Sequence, residues 1–164
     1  MKEKFGSDSG RDRANTMRDA LIQYGQEEGI PYQFDRITRR PNSFNAHRLV
    51  RWAQGQQKGA EAKEALFKAY FSDGRDIGET EVLVDIAREI NLDPSIVAEL
   101  MPTDADVENV RNEEALFQQM GISGVPTYIA HRRIAVQGAE TAEKLAKFLQ
   151  HAATQLPEER PAQG

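Results

Sequence analysis

The segment GISGVPTYIA, at positions 121–130, is the first candidate for a binding site in this sequence. A helical pattern leads into it, and an apolar, strand-like run leaves it. Gly124 lets another main chain approach closely, because it has no side chain. From local sequence alone Pro126 is expected to follow a trans peptide bond, since only about 5–6% of X–Pro bonds in folded proteins are cis. On this basis the segment is a strand entry whose loop a ligand could approach.

A second candidate region, RITRRPNSFNAHRLVRWA, covers positions 36–53. His47 could lie near a cleft and titrate near neutral pH, or it could be a partly buried histidine with a packing role. The region also contains a cluster of five arginines: Arg36, Arg39, Arg40, Arg48 and Arg51. This cluster could attract an anionic ligand such as glutathione or an acidic peptide, or it could be a solvated face. Both pairs of alternatives stay open at this point.

No catalytic residue and no metal-binding residue can be assigned from sequence motifs. The 164 residues contain no cysteine, which excludes disulfides, thiolate metal ligands and a thiol nucleophile among them. The three histidines, at positions 47, 131 and 151, do not have the spacing of metal ligands. Adjacent acids such as Glu27-Glu28 do not face each other on a helix, so they do not form a carboxylate pair.

Length and charge limit the class of protein further. A chain of 164 residues with 39% hydrophobic residues suits one domain with a real core. Its net charge of −5 disfavours nucleic acid as a partner. No apolar run approaches the ~20 residues that span a bilayer, and the polar start MKEKFGSDSG has no signal-peptide core, so no membrane partner is expected and a cytoplasmic location is predicted.

Hydrophobic periodicity predicts a mainly α-helical protein with six or seven helices. The predicted helices cover about 11–28, 43–57, 60–72, 80–91, 93–101, 103–120 and 141–153. The first has an apolar stripe of Ala14, Met17, Leu21 and Tyr24. Asn42 or Ser43 is expected to cap the second helix, Asp93-Pro94 to begin the fifth, and Thr103 with Asp106 to form an approximate capping box at the start of the sixth. Two strands, 127–130 and 133–136, are predicted to form a hairpin through His131-Arg132. Since a lone two-stranded sheet is marginal in water, the pattern indicates a fold with part of its sheet absent.

Three stretches together resemble the DsbA-like thioredoxin superfamily: the region 36–53, FKAYFSDGRDIGETEVLVDIA at 67–87, and GISGVPTYIAHRRIAVQGAE at 121–140. The resemblance runs from about Lys4 to Ala153 and is greatest to the FrnE-type branch. Relatives of that branch include 2-hydroxychromene-2-carboxylate isomerases and kappa-class glutathione transferases.

The resemblance implies a helical insertion domain at 1–102 and the C-terminal β-β-α half of a thioredoxin-like fold at 103–153. That half would comprise a helix, a cis-proline loop, the hairpin and a last helix, and a disordered tail would occupy 154–164. The family's first strand–helix–strand unit, which carries a CxxC motif, is not found in this sequence. The chain therefore looks like an N-terminally truncated member.

By resemblance the function is thiol–disulfide exchange on a peptide or thiol substrate, although these residues alone are expected to be inactive in it. Gly124, Val125, Pro126 and Thr127 would bind substrate through a cis Val125–Pro126 bond that exposes the Val125 main chain, and His47 and Arg48 would lie at a cleft. No cofactor is expected, although glutathione could be a substrate or cosubstrate. The alternatives are a glutathione-dependent isomerase or transferase, and a non-catalytic helical module that forms homodimers through its hairpin edges.

Overall fold

The structure, a computed structural model, describes residues 8–131 and 133–155. In this part of the chain the elements are α1 (Asp8–Glu28), α2 (Phe44–Gly55), α3 (Gly59–Phe67), α4 (Thr80–Glu89), α5 (Pro94–Leu100), α6 (Val107–Gln119), β1 (Thr127–Ala130), β2 (Ile134–Gln137) and α7 (Ala142–Thr154). A 3₁₀ turn at Phe34–Arg36 and a π-helical turn at Lys68–Ser72 complete them. None of the described helices is both long and apolar enough to cross a membrane.

Local sequence signals account for the starts of α5 and α2. Asp93 caps α5 by accepting hydrogen bonds from the main-chain N–H groups of Ser95 and Ile96, and Pro94 fills the first turn. Asn42, rather than Ser43, supplies the side-chain bond at the start of α2, because its Oδ1 accepts from the Phe44 N–H at 3.0 Å. The prediction of a mainly α-helical chain with a single hairpin is confirmed for the described residues.

The start of α6 corrects one prediction. Thr103 and Asp106 were expected to form a capping box at the start of a helix from residue 103, but α6 begins at Val107. Asp106 has a φ of 58°, in the left-handed region that Asp tolerates better than most residues. The Thr103 hydroxyl instead joins Leu100 and Ala105, donating to the Leu100 carbonyl and accepting from the Ala105 N–H.

The chain divides into two compact units, with the boundary between Val110 and Arg111 inside α6. The first unit thus extends beyond the boundary predicted at 102–103, since Asp106 bonds to α2 and Val110 is buried. Its core lies where α2 packs on α3 and α4, and where α4 packs on α5. Its central side chains are fully buried: Leu49, Ala53, Ala62, Leu83, Ile86 and Ala87.

Helix α1 contacts its own unit mainly through the segment that follows it. Gly25 is buried against the Tyr32 ring, which a Cβ on residue 25 would approach to 2.4 Å. Arg18 pairs with Asp35 and lies over the Phe34 ring, 5.5 Å from its centroid. An aromatic cluster joins the segment after α1 to the π-helical turn that follows α3. Its members are Tyr32, Phe34 and Phe71.

The second unit contains the hairpin and α7. Strands β1 and β2 are antiparallel and pair Thr127 with Gln137 and Ala130 with Ile134. This register leaves positions 131–133 as the hairpin loop, of which Arg132 lies outside the described residues. His131 has a φ of 51°, and its Nε2 lies 3.0 Å from the Ala152 carbonyl oxygen near the end of α7. Of the predicted tail at 154–164, only the first two residues are described, and Thr154 ends α7.

Candidate functional site

The loop between α6 and β1 is built from a helix stop followed by a strand entry. Helix α6 ends at Gln119, and Gly121 takes a φ of 75°, which favours glycine. The Ile122 N–H then donates back to the Phe117 carbonyl at 3.0 Å, closing the end of the helix. The chain reaches β1 at Thr127 through a Val125–Pro126 bond that is cis, the isomer that the resemblance implies.

Three hydrogen bonds fix this loop on either side of Val125. The Thr127 hydroxyl donates to the Gly124 carbonyl at 2.7 Å, and the Gly138 N–H donates to the Pro126 carbonyl at 2.8 Å. The Gln137 side-chain amide donates to the Gly121 carbonyl at 3.3 Å. The carbonyls before and after Val125 are therefore already used within the unit.

Val125 itself presents its main chain to the outside. Its residue is 90% exposed. Within the described part of the chain, neither its N–H nor its C=O takes part in a hydrogen bond. An N–H and a C=O on one exposed residue are the pair of groups by which an extended peptide adds to a protein main chain.

The loop has no means of proton transfer of its own. Positions 121–127 read GISGVPT and contain no group that titrates near neutral pH. What Gly124 to Thr127 can offer is shape and main-chain hydrogen bonds. The arrangement can bind and orient a ligand, while the attacking or proton-moving groups of a reaction would have to lie elsewhere.

Arg48, predicted to lie at a cleft, is found in the interior of the first unit. Its residue is 1% exposed, and its guanidinium lies over the Trp52 ring, 5.1 Å from the centroid. All three nitrogens of the guanidinium donate, at 2.8–3.0 Å, and the acceptors are the carbonyls of Leu100, Met101, Thr103 and Ala105 and the Asn45 side chain. Burial lowers the pKa of Arg48 from its ordinary value, and the carboxylates of Asp106 and Asp104 oppose that effect.

Asp106 forms a second polar centre beside Arg48 that the sequence did not indicate. Its carboxylate accepts from Asn109 at 2.7 Å, from Arg51 Nε at 2.8 Å and from the Trp52 indole at 2.9 Å. These bonds, with that from Asn109 the strongest influence, hold the pKa of Asp106 below its ordinary value. Arg51 and Trp52 lie more than 50 residues from Asp106 in the chain, so no local signal could have revealed these two partners. The network secures the segment before α6 to α2.

The remaining predicted residues lie in two different units of the structure. His47 lies exposed on α2 in the first unit, and the loop 124–127 lies in the second unit. The arginines of the predicted cluster differ in burial and in the groups that they contact. Arg48 is internal, Arg51 binds Asp106, and Arg39 lies 3.9 Å from Asp76 and 3.8 Å from Glu79.

These features define a class of protein. A helical unit followed by a helix, a cis-proline loop, a hairpin and a last helix is the arrangement of a thioredoxin-like domain that carries a helical insertion. The chain belongs to the family of the DSBA-like thioredoxin domain, whose sequence profile matches residues 4–150.

Two similar proteins carry the comparison further. The probable DsbA oxidoreductase SCO1869 from Streptomyces coelicolor superimposes with a TM-score of 0.82 at 26% identity, over 94% of this chain and 67% of that one. An uncharacterised protein of Bacillus subtilis, YwbO, is 26% identical over 103 residues, which is 62% of this chain. The chain spans about half (51%) of the length of that relative.

Proposed function

We propose that this chain supplies the substrate-binding loop and helical domain of a DsbA-type, FrnE-like thiol–disulfide oxidoreductase. The observation that carries the proposal is the exposed main chain of Val125, whose N–H and C=O have no partner within the described residues. Membership of the DSBA-like family and the similarity to a probable DsbA oxidoreductase support it.

In this proposal the substrate binds as an extended segment beside Val125. Its main chain pairs with the two free groups of Val125, and Gly124 leaves room for that approach. The exchange itself requires a thiolate that attacks a disulfide sulfur and forms a mixed disulfide, with the second sulfur leaving as a thiolate. The 164 residues hold no cysteine, so we expect them to bind a substrate without carrying out the exchange.

A glutathione-dependent isomerase or transferase is the second candidate, because the same main-chain pair could bind the cysteinyl part of glutathione. The two candidates differ in ligand: the first favours an extended peptide, and the second favours glutathione. We also propose a cytoplasmic location, which cell fractionation with an antibody to the chain would test.

Nuclear magnetic resonance of the ¹⁵N-labelled chain tests the proposal directly. S-methylglutathione and an extended peptide that contains S-methylcysteine are added in separate titrations. We expect the Val125 amide signal to shift with a saturating ligand dependence, while that of Val136, on the paired strand, serves as an internal reference. A larger response to the peptide favours the oxidoreductase, and one confined to the glutathione analogue favours the isomerase or transferase.

A matched pair of glycine variants provides the control. A Cβ added at Gly124 or at Gly55 meets nothing within 4 Å, and neither residue has a positive φ, so both alanine variants should fold normally. Gly124→Ala places a methyl group where the ligand main chain would lie and should weaken binding. Gly55→Ala should not. Saturating ligands that leave the Val125 amide unmoved, or equal binding by the two variants, would refute the proposed site.

A further inference from the structure

One residue of the second strand lies at both ends of the loop before β1. Gln137 is the last residue of β2, and in the strand register it lies opposite Thr127, where β1 begins. Its side-chain amide extends to the other end of the loop and donates to the Gly121 carbonyl at 3.3 Å. The segment 122–126 is therefore enclosed between two positions that Gln137 contacts.

The main chain around Gln137 is itself fixed to the end of this loop. The Gly138 N–H donates to the Pro126 carbonyl at 2.8 Å, which continues by one position the register that pairs Thr127 with Gln137. Gly138 has a φ of 99°, which favours glycine. Because the main chain of β2 is held in this way, the Gln137 side chain acts from a fixed point on the Gly121 carbonyl.

We propose that Gln137 is the positioning residue of this loop, and that its bond to Gly121 keeps the main chain of Val125 in the orientation that binds an extended peptide. The inference rests on the proposed function, because it concerns how the same site is prepared for its ligand. Val125 is 90% exposed, and its N–H and C=O have no hydrogen-bond partner among the described residues. Its orientation therefore depends on the bonds that hold the rest of the loop.

An ordered loop should bind more tightly than a mobile one. A loop that is already in its binding conformation loses less conformational freedom when the ligand arrives. The apparent affinity also rises with the fraction of molecules that have the binding-competent conformation. Loss of the Gln137 side-chain bond should therefore weaken binding without removing any group that touches the ligand.

The chemistry of the contact determines which substitutions keep it. The Gly121 carbonyl is an acceptor, so position 137 must supply an N–H donor. Gln137→Met keeps an unbranched side chain of similar length but has no donor. Gln137→Lys restores a donor on a slightly longer side chain. Because the bond is exposed, Gln137→Met should weaken peptide binding by roughly threefold, near the lower end of what one hydrogen bond contributes.

Two nuclear magnetic resonance measurements on the ¹⁵N-labelled full chain test this role. Amide order parameters at positions 122–125 report on loop motion without any ligand. Titration with the extended peptide that contains S-methylcysteine gives the dissociation constant. We expect Gln137→Met to lower the order parameters and weaken binding, and Gln137→Lys to restore both. The melting temperature, which a purely structural role would lower, should stay the same because Gln137 is exposed.

Gln119 provides the matched control. It is exposed at the end of α6, and its side chain forms no hydrogen bond within the described part of the chain. Gln119→Met and Gln119→Lys make the same changes in chemistry and charge as the two Gln137 variants. Neither should alter the order parameters of the loop or the affinity for the peptide.

The outcomes separate this role from the proposed function. Unchanged order parameters in Gln137→Met, failure of Gln137→Lys to restore them, or equal losses in the Gln119 variants would overturn the role of Gln137. Equal peptide binding by the unmodified chain and Gln137→Met would also overturn it, while the proposed function would stand. If the unmodified chain does not bind the peptide, the proposed function fails, and order parameters that fall in Gln137→Met and recover in Gln137→Lys would still support the positioning role.

Discussion

Replacing Arg48 should destabilise the first unit strongly, although it is a charged residue on a helix. Its guanidinium is the common donor for a run of main-chain carbonyls between Leu100 and Ala105. Arg48→Leu fills much of the same space with an apolar side chain and removes every N–H donor of the guanidinium. The carbonyls would then be left beside a side chain that cannot bond to them.

The size of the effect follows from the hydrogen bonds that are lost. The Leu100 carbonyl also accepts from Thr103, so it keeps a partner. The carbonyls of Met101, Thr103 and Ala105 lose the donor that Arg48 provides. A buried carbonyl without a partner costs about 1–3 kcal/mol, and the lower half of that range applies because parts of this segment reach water. With about 1–2 kcal/mol for each of the three carbonyls, we expect the free energy of unfolding to fall by about 3–6 kcal/mol.

Urea unfolding followed by tryptophan fluorescence measures this loss. Trp52 is the single tryptophan and lies beneath the Arg48 guanidinium, so it reports on the first unit. With a urea dependence of about 2 kcal/mol/M, the midpoint should fall by about 2 M. In Arg48→Lys the urea midpoint should fall by about half as much, because one ammonium group cannot donate to all of these carbonyls. Arg40→Leu, at an exposed site, is the control, and the reasoning is refuted if the Arg48 variants unfold at the same midpoint as this control.

Three further predictions concern single contacts. Because the pKa of Asp106 is lowered in the folded chain, the stability that its carboxylate contributes is present above the ordinary carboxyl pKa and is lost as pH falls through the lowered pKa. The urea midpoint of Asp106→Asn should therefore drop less between pH 7 and pH 3 than that of the unmodified chain. Thr127→Val removes the bond to the Gly124 carbonyl and should speed amide hydrogen exchange in the loop, whereas an unchanged rate would show that the bond does not hold it. Gly74 and Gly29 both have a positive φ, so alanine at either position has the same backbone cost. Only at Gly74 would the new Cβ also contact main chain, at 2.7 Å from a carbonyl oxygen, so Gly74→Ala should lower the melting temperature more than Gly29→Ala. Equal falls in melting temperature would rule out that contact.

The helices and the hairpin could be predicted because their signals are local. Apolar residues at helical spacing placed α4, and the Asp93-Pro94 pair placed the start of α5 where the structure has it. The strand β1 has the predicted bounds, and β2 begins one residue later than predicted. Each of these features depends on residues within one or two turns of the chain.

The errors lie where distant residues override a local pattern. The capping box at Thr103 was predicted from neighbouring residues, but the Asp106 carboxylate instead accepts hydrogen bonds from Arg51 and Trp52. The arginine cluster looked like a surface feature, but Arg48 is internal because the segment after α5 turns its carbonyls toward it. Periodicity located the apolar stripe of α1 without indicating that this stripe would be exposed.

The loop before β1 shows a different limit of sequence reasoning. A site made of side chains has a signature in the sequence, because the residue types that form it can be recognised there. A site made of the N–H and C=O of Val125 has no such signature, since every residue other than proline carries both groups. What distinguishes Val125 is that the carbonyls of Gly124 and Pro126 on either side of it are bonded, while its own N–H and C=O have no hydrogen-bond partner among the described residues. Substitution of the Val125 side chain should therefore affect binding less than the methyl group added at Gly124, because the ligand would contact main chain at both positions.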